Sequence, residues 1–230
     1  MKILTIALFI TAFAAASYWS SAVAAPAPVV ETGHARSSAA RPTAPTDAEL
    51  RAAAGRAIDL MQRSQATWSK AQACASCHHV LIPQVTLELA RTRGLHVDES
   101  IARDVDHKAL DYLADVDNSI QHLDYVDVFF DSWLLVGGHA AGLKPNVATA
   151  AYASFVASMQ LEDGSWRSTD GRPPQAFDAI LATAMGARAI QLYLPRERER
   201  AERTARARAF LVSARPEDST GRAYRLIGLT

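Results

Sequence analysis

Apolar side chains recur at helical spacing along most of the chain beyond residue 45. Thr46 and Glu49 have the spacing of a capping box, in which a hydroxyl and a carboxylate bond backbone N–H groups at a helix start. Pro83 and Gly94 bracket a second helix, because proline favours a first turn and glycine a C-cap. The apolar positions of the first three predicted helices are Leu50, Ala54, Ala57, Ile58, Met61 and Trp68; Val85, Leu87, Leu89 and Ala90; and Ile101, Val105, Ala109, Leu110 and Leu113.

The second half of the chain is denser in large apolar residues. Three helices are predicted there, over residues 120–141, 146–160 and 176–194. A fourth begins at Pro195 and ends before Pro216. The Arg/Glu run from Arg196 to Arg208 mixes both charges, which predicts a solvated helix face with i,i+4 ion pairs. No segment alternates with period two for long enough to predict a strand. Residues 46–230 are therefore expected to form one all-α domain of consecutive helix pairs.

The first 24 residues have the parts of a secretory signal peptide. Lys2 precedes an apolar run from Ile3 to Ala16, and residues 22–24 read Ala-Val-Ala, an A-x-A cleavage site. That run is shorter than the ~20 residues a membrane-spanning helix needs. The alternative to a cleaved signal peptide is an uncleaved membrane anchor. Residues 25–45 are rich in Pro, Ala and Ser and predict a flexible linker. We expect cleavage after Ala24, a periplasmic or secreted location, and no membrane span in the mature chain.

Composition narrows the range of partners. The 230 residues include 24 Lys and Arg and 24 Asp and Glu, so the formal net charge is zero. Without a basic surplus to neutralise a run of phosphates, nucleic acid is not an expected partner. A hydrophobic fraction of 49% argues against a wholly disordered chain. The chain has two cysteines, three positions apart, and they are its most informative residues.

The cysteines belong to the sequence Cys74-Ala75-Ser76-Cys77-His78, which has the C-x-x-C-H spacing of a c-type haem attachment site. Each thiol can add to one vinyl group of the porphyrin, and the histidine that follows can bind the iron as proximal ligand. Attachment takes place outside the cytoplasm, which agrees with the predicted signal peptide. A disulfide or redox dithiol and a non-haem metal site are the alternatives. The expected cofactor is covalent haem c.

A sixth ligand for such a haem cannot be chosen by spacing. The neighbouring His79 would point away from His78 on a helix, so we expect it to form a polar wall. Met61 and Met159 lie on helical stripes and are expected in the core. A histidine or an open position is therefore the expectation, and it favours a low-potential or ligand-accepting haem. The histidine candidates are His107, His122 and His139.

A second motif lies at residues 155–166, which read FVASMQLEDGSW. Its Asp-Gly pair favours a turn after a helix, and Trp166 is placed to stack on the amide of Gln160. An ordinary turn followed by a packed tryptophan is the alternative. The segment resembles the QW repeat of the terpenoid-cyclase and prenyltransferase/squalene-oxidase family, with Gln160, Gly164 and Trp166 as the structural residues of the repeat.

That resemblance implies an α/α toroid built from helical hairpins. Residues 177–184 resemble the helix that follows a QW turn, and residues 207–229 resemble the helix-loop-helix before a further repeat. Residues 73–94 resemble the opening of exported bacterial proteins that join such a toroid to a haem-type cysteine motif. One QW turn is clear and the chain stops at Thr230, so we expect either a truncated toroid or a fragment of a longer one. Its uncovered apolar edge favours self-association.

Catalysis is not the expected function. Cyclases of this family use an acidic D-x-D-D cluster, whereas Asp104-Val105-Asp106 continues as His107 and Asp115-Val116-Asp117 as Asn118. These carboxylates are expected on a polar helix face. The favoured hypothesis is an exported haem protein for electron transfer or for redox or ligand sensing, with a redox partner or a small apolar ligand. The alternatives are a non-haem toroid that binds an apolar ligand or partner, and a truncated cyclase-like enzyme.

Overall fold

The computed structural model describes residues 44–72, 77–121, 128–168 and 178–230, and all regular structure within these ranges is helical. The predicted signal peptide, nearly all of the linker, Cys74 and His122 lie outside them. Residues 45–230 belong to one compact unit. Its elements are α1 (Asp47–Ala71), a π-helical turn (Cys77–Leu81, here the motif turn), α2 (Ile82–Thr92), α3 (Glu99–Ala114), α4 (Val116–Gln121), α5 (Val128–Ala140), α6 (Val147–Ser158), α7 (Ala179–Tyr193), α8 (Glu197–Ser213) and α9 (Ser219–Leu229).

Side-chain caps begin most of these helices. The predicted capping box is confirmed at α1, where the Glu49 backbone N–H donates to Thr46 Oγ1 and the Thr46 N–H donates to the Glu49 carboxylate. Asp178 accepts from the Leu181 N–H at the start of α7. Gly94 has a φ of 64° just after α2, as its predicted C-cap position requires. Local chemistry therefore sets these helix ends.

The main core lies around α5 and α7, which are buried along nearly their whole length. Helix α7 packs against α5, α6, α8 and α9, and α5 also packs against α2 and the motif turn. The largest fully buried side chains include Trp166, Tyr152, Leu134 and Leu181. Because α5 contacts both the motif turn and α7, it connects the cysteine motif to the centre of the fold.

A smaller core joins α1, α2 and α3. Its buried residues are Ile58, Leu87, Ala90, Val97 and Ala102. At its edge, the Gln62 amide donates to the Asp98 carbonyl at 2.8 Å and accepts from the Asp98 N–H at 2.9 Å. Arg91 pairs with Glu99 at 2.8 Å. These contacts join the start of α3 to the middle of α1 and the end of α2.

Sequence predictions about burial are wrong at three apolar positions. Leu50 and Leu89 are 52% and 55% exposed, whereas the polar Gln62 and Gln65 of α1 are buried. Gln62 is held in the interior by its two hydrogen bonds with the backbone of Asp98. Met159 is 38% exposed at the end of α6 rather than in the core. Of the helix predicted over residues 120–141, the structure describes α5 (Val128–Ala140) and the end of α4, and residues 122–127 lie outside the described ranges.

Helix α8 presents the mixed-charge face that the sequence predicts. Arg198 pairs with Glu202 at 2.8 Å and Arg203 with Glu199 at 2.9 Å, both at i,i+4 spacing. Only Ala207 and Leu211 are buried among the described residues of this helix. Searched over the described ranges, the fold has no helix with both the length and the apolar character needed to cross a membrane.

Candidate functional site

The motif turn carries the last part of the C-x-x-C-H sequence. Cys77 begins the turn and His78 follows with an exposed side chain, while Val80 and Leu81 are fully buried. The side chains of Cys74 and Cys77 lie outside the described residues. The turn therefore holds the imidazole of His78 at the surface and anchors its other end in the core.

A close backbone contact holds the turn on α5. A Cβ atom added to Gly137 would lie 2.7 Å from the carbonyl oxygen of Leu81 and 2.8 Å from its Cα. Side chains larger than hydrogen do not fit at such distances, so glycine allows α5 and the turn to touch. This contact joins residues 56 positions apart in the sequence, and it holds the end of the motif turn against α5.

Replacing Gly137 by alanine should therefore displace the motif turn. We expect a loss of about 1–3 kcal/mol in the free energy of unfolding, because the new methyl group meets rigid backbone atoms. Gly138→Ala is the matched control: its methyl would meet mainly the end of the flexible Leu143 side chain, at 2.9 Å. Urea unfolding followed by circular dichroism measures both variants, and equal stabilities would contradict the contact.

Aromatic rings form a wall beside His78. The rings of Trp68 and His79 stack with centroids 4.3 Å apart and an interplanar angle of 3°. His78 lies 4.4 Å from His79 and 6.2 Å from Trp68, with its ring tilted to both. Burial, and to a lesser degree the charge of His78, lower the pKa of His79. His79 is therefore stacked flat on Trp68 at the end of α1, where burial favours its neutral form; its role as a wall of a haem site stays a prediction.

Polar groups are buried on α1 and α3, two of the helices that contact the motif turn. Within the described ranges, neither amide atom of buried Gln65 nor the indole N–H of Trp68 has a hydrogen-bond partner. Asp106 on α3 is half-buried, and burial raises the pKa of its carboxyl group against the opposing charge of Arg91. Asp106 therefore departs from the solvated face predicted for it, whereas Asp104 is exposed as expected. The interior near the motif can thus supply donors and an acceptor to a polar group.

The histidine candidates for a sixth ligand are placed differently. His107 is exposed on α3, and the adjacent Lys108 ammonium donates to the carbonyls of Ser69, at 2.7 Å, and Gln72. Gln72 precedes Cys74 by two positions, so α3 runs beside the chain that leads into the motif. His139 is exposed at the end of α5, with its ring edge-on to Tyr193 at 6.0 Å. In the described part of the chain, no three His, Cys, Asp or Glu residues are grouped to hold a metal ion.

The second motif forms a turn that ties three helices together. The Gln160 amide donates to the carbonyls of Gly164 at 3.0 Å and Arg203 at 2.9 Å, and accepts from Arg206 at 3.0 Å. Trp166 is fully buried, and its indole N–H donates to the Val156 carbonyl at 2.6 Å. The turn thus links the end of α6 to the middle of α8.

Trp166 also contacts α7. The backbone N–H of Trp166 donates to Thr183 Oγ1 at 3.1 Å, and a Cβ added to Gly186 would lie 3.0 Å from the indole ring. Stacking of the ring on the Gln160 amide stays a prediction.

Comparison of the chain with protein-family models, with curated proteins and with solved structures gives no match. The resemblance to QW-repeat proteins therefore rests on the residues themselves.

Proposed function

We propose that this chain is an exported c-type haem protein. Cys74 and Cys77 would hold the porphyrin covalently, and His78 would bind its iron. The observation that carries this proposal is the position of His78: its imidazole is exposed on a turn whose next residues are fixed in the core. An axial histidine of a haem needs both an exposed imidazole and a rigid backbone. The exposure lets the cofactor approach, and the buried residues of the turn fix the orientation of the imidazole.

The surroundings of His78 fit a haem edge. The Trp68–His79 pair offers a flat aromatic wall on one side of the ring. The indole N–H of Trp68 and the amide of Gln65, one turn earlier on α1, have no hydrogen-bond partner among the described residues, so α1 holds unused hydrogen-bonding groups near this wall. Bound haem would supply one-electron redox chemistry or a site for a small ligand. The protein's own residues would bind it, orient it and limit the access of water.

We propose His107 as the first histidine to test for the sixth position. Helix α3 packs against both the motif turn and the end of α1. The Lys108 contacts keep this stretch of α3 beside the residues that lead to Cys74. His139 lies instead at the far end of α5, against Tyr193. His107 ligation and an open position both agree with a low-potential or ligand-accepting haem, used in electron transfer or in sensing.

For the scaffold we propose an α/α-toroid-like arrangement of the terpenoid-cyclase kind. Its support is that α7 packs on α5 and α9 as well as on α6 and α8, its neighbours in sequence. Such contacts between alternate helices are expected when apolar inner helices line up and polar outer helices cover them. The almost wholly buried α7 and the largely exposed α8 fit those two layers.

The test is expression of the full chain with its leader, together with a cytochrome c maturation system. We expect a band that stains for haem on a denaturing gel and a polypeptide mass increased by one haem. Carbon monoxide added to the reduced protein should shift its absorption spectrum at once if the sixth position is open. A chain that reaches the periplasm without haem mass would overturn the proposal, and a methionine-ligated spectrum would overturn the low-potential part of it.

A further inference from the structure

Helices α8 and α9 form a surface that is both apolar and basic. Val212, Leu226 and Ile227 are 55%, 67% and 49% exposed. Residues 196–230 hold nine arginines against five acidic residues. We name this surface the basic edge; its residues are Arg208, Val212, Arg215, Arg222, Arg225, Leu226 and Ile227.

Much of the positive charge on the basic edge is not neutralised by carboxylates. Arg225 donates to the carbonyls of Leu211 at 2.6 Å and Val212 at 2.7 Å, and Arg208 donates to that of Leu229 at 3.0 Å. Carbonyl groups satisfy the donors of a guanidinium group and leave its net charge in place. The ion pairs of α8 lie earlier, at residues 196–203. The edge therefore favours an acidic partner.

The opposite charge is concentrated on α3 and α4. Residues 98–117 hold seven acidic residues against one arginine and one lysine, and of the seven Glu99 is paired with Arg91. Asp104, Asp111 and Asp117 are exposed there. The apolar side chains of these elements, Ile101, Leu110 and Val116, pack against the main core, so the outer surface is chiefly charged. We name this surface, residues 98–117, the acidic face.

We propose that the basic edge of one molecule binds the acidic face of a second copy, head to tail. Two basic edges facing each other would bring like charges together, which costs free energy, so a symmetric pairing of edges is disfavoured. Burial of Val212, Leu226 and Ile227 adds an apolar contribution, and the charges set the orientation. A pair of copies keeps one unused edge on one molecule and one unused face on the other, so the contact is heterologous and extends into rings or chains.

Complementary charge-reversal variants test this proposal. One variant is Arg215→Glu with Arg222→Glu, which alters the edge, and the other is Asp104→Lys with Asp111→Lys, which alters the face. All four side chains are exposed. Sedimentation velocity of wild-type protein at low salt should show association that rises with concentration and weakens in high salt. Each variant alone should associate at least about tenfold more weakly, the equivalent of 1.4 kcal/mol.

Mixing the two variants tests whether association depends on a contact between the basic edge and the acidic face. The first variant keeps its acidic face and the second keeps its basic edge, so a 1:1 mixture should form a heterodimer that neither forms alone. Arg56→Glu with Arg63→Glu, at exposed positions of α1, gives the same charge change as the edge variant and should associate like wild type. A monomeric mixture, or association that ignores salt and both variants, would overturn the proposal. Haem loading does not enter this measurement.

Discussion

Cys74→Ala and Cys77→Ala should each yield a chain without stable covalent haem, the largest change we expect from any single substitution. Each thiol would form one thioether bond to the porphyrin, and both bonds together align the ring over His78. Loss of either sulfur leaves the porphyrin without that alignment. The haem-stained band and the added haem mass should therefore disappear from both variants.

Ser76→Ala is the matched control for this prediction, because it lies inside the same motif and changes neither thiol nor imidazole. It should retain the haem of the wild-type chain. The main competing interpretation is a disulfide between the two cysteines. In that case the wild-type chain would contain no free thiol before reduction and two after it, with no haem mass, and the alanine variants would differ from it only in their thiol content.

Local signals in the sequence predict the helix starts well. The Thr46 and Glu49 capping box and the Asp178 cap act over three residues, so the chain segment itself contains both partners. The all-α class follows from the same short-range periodicity and is confirmed for the described residues. Gly94 at positive φ is likewise a local consequence of ending a helix. Short-range physics was sufficient for these elements.

Burial depends on partners that the sequence does not place. The side chain of Leu50, in the first turn of α1, is exposed, whereas that of Gln65, about four turns further along the same helix, is buried. The contact of Gly137 with Leu81 joins two helical segments 56 positions apart, and neither segment signals the other. The same holds for the Trp68–His79 stack beside the cysteine motif. The motif's chemistry can be predicted from spacing, whereas its anchoring needs the packed fold.

Gly164 shows how a turn can combine local and distant constraints. Its φ of 88° lies in the left-handed region, which the Asp-Gly sequence already predicts for a turn. A distant constraint adds to this, since a Cβ at this position would lie 2.4 Å from the carbonyl oxygen of Arg206. That oxygen belongs to the backbone of α8, which the Gln160 hydrogen bonds hold against the turn. An added methyl group cannot be accommodated by a side-chain rotation.

Gly164→Ala should therefore lower the free energy of unfolding by about 3 kcal/mol or more, from backbone strain and the clash with α8 together. Gly142→Ala separates the two contributions, because Gly142 has a φ of 95° and no atom within 4 Å of an added Cβ. It should lose only about 1 kcal/mol, the lower end of the cost of a strained backbone. Urea unfolding of both variants gives the difference directly. Equal losses would mean that the turn does not press on α8, and would remove the contact on which the repeat interpretation of Gln160 and Trp166 depends.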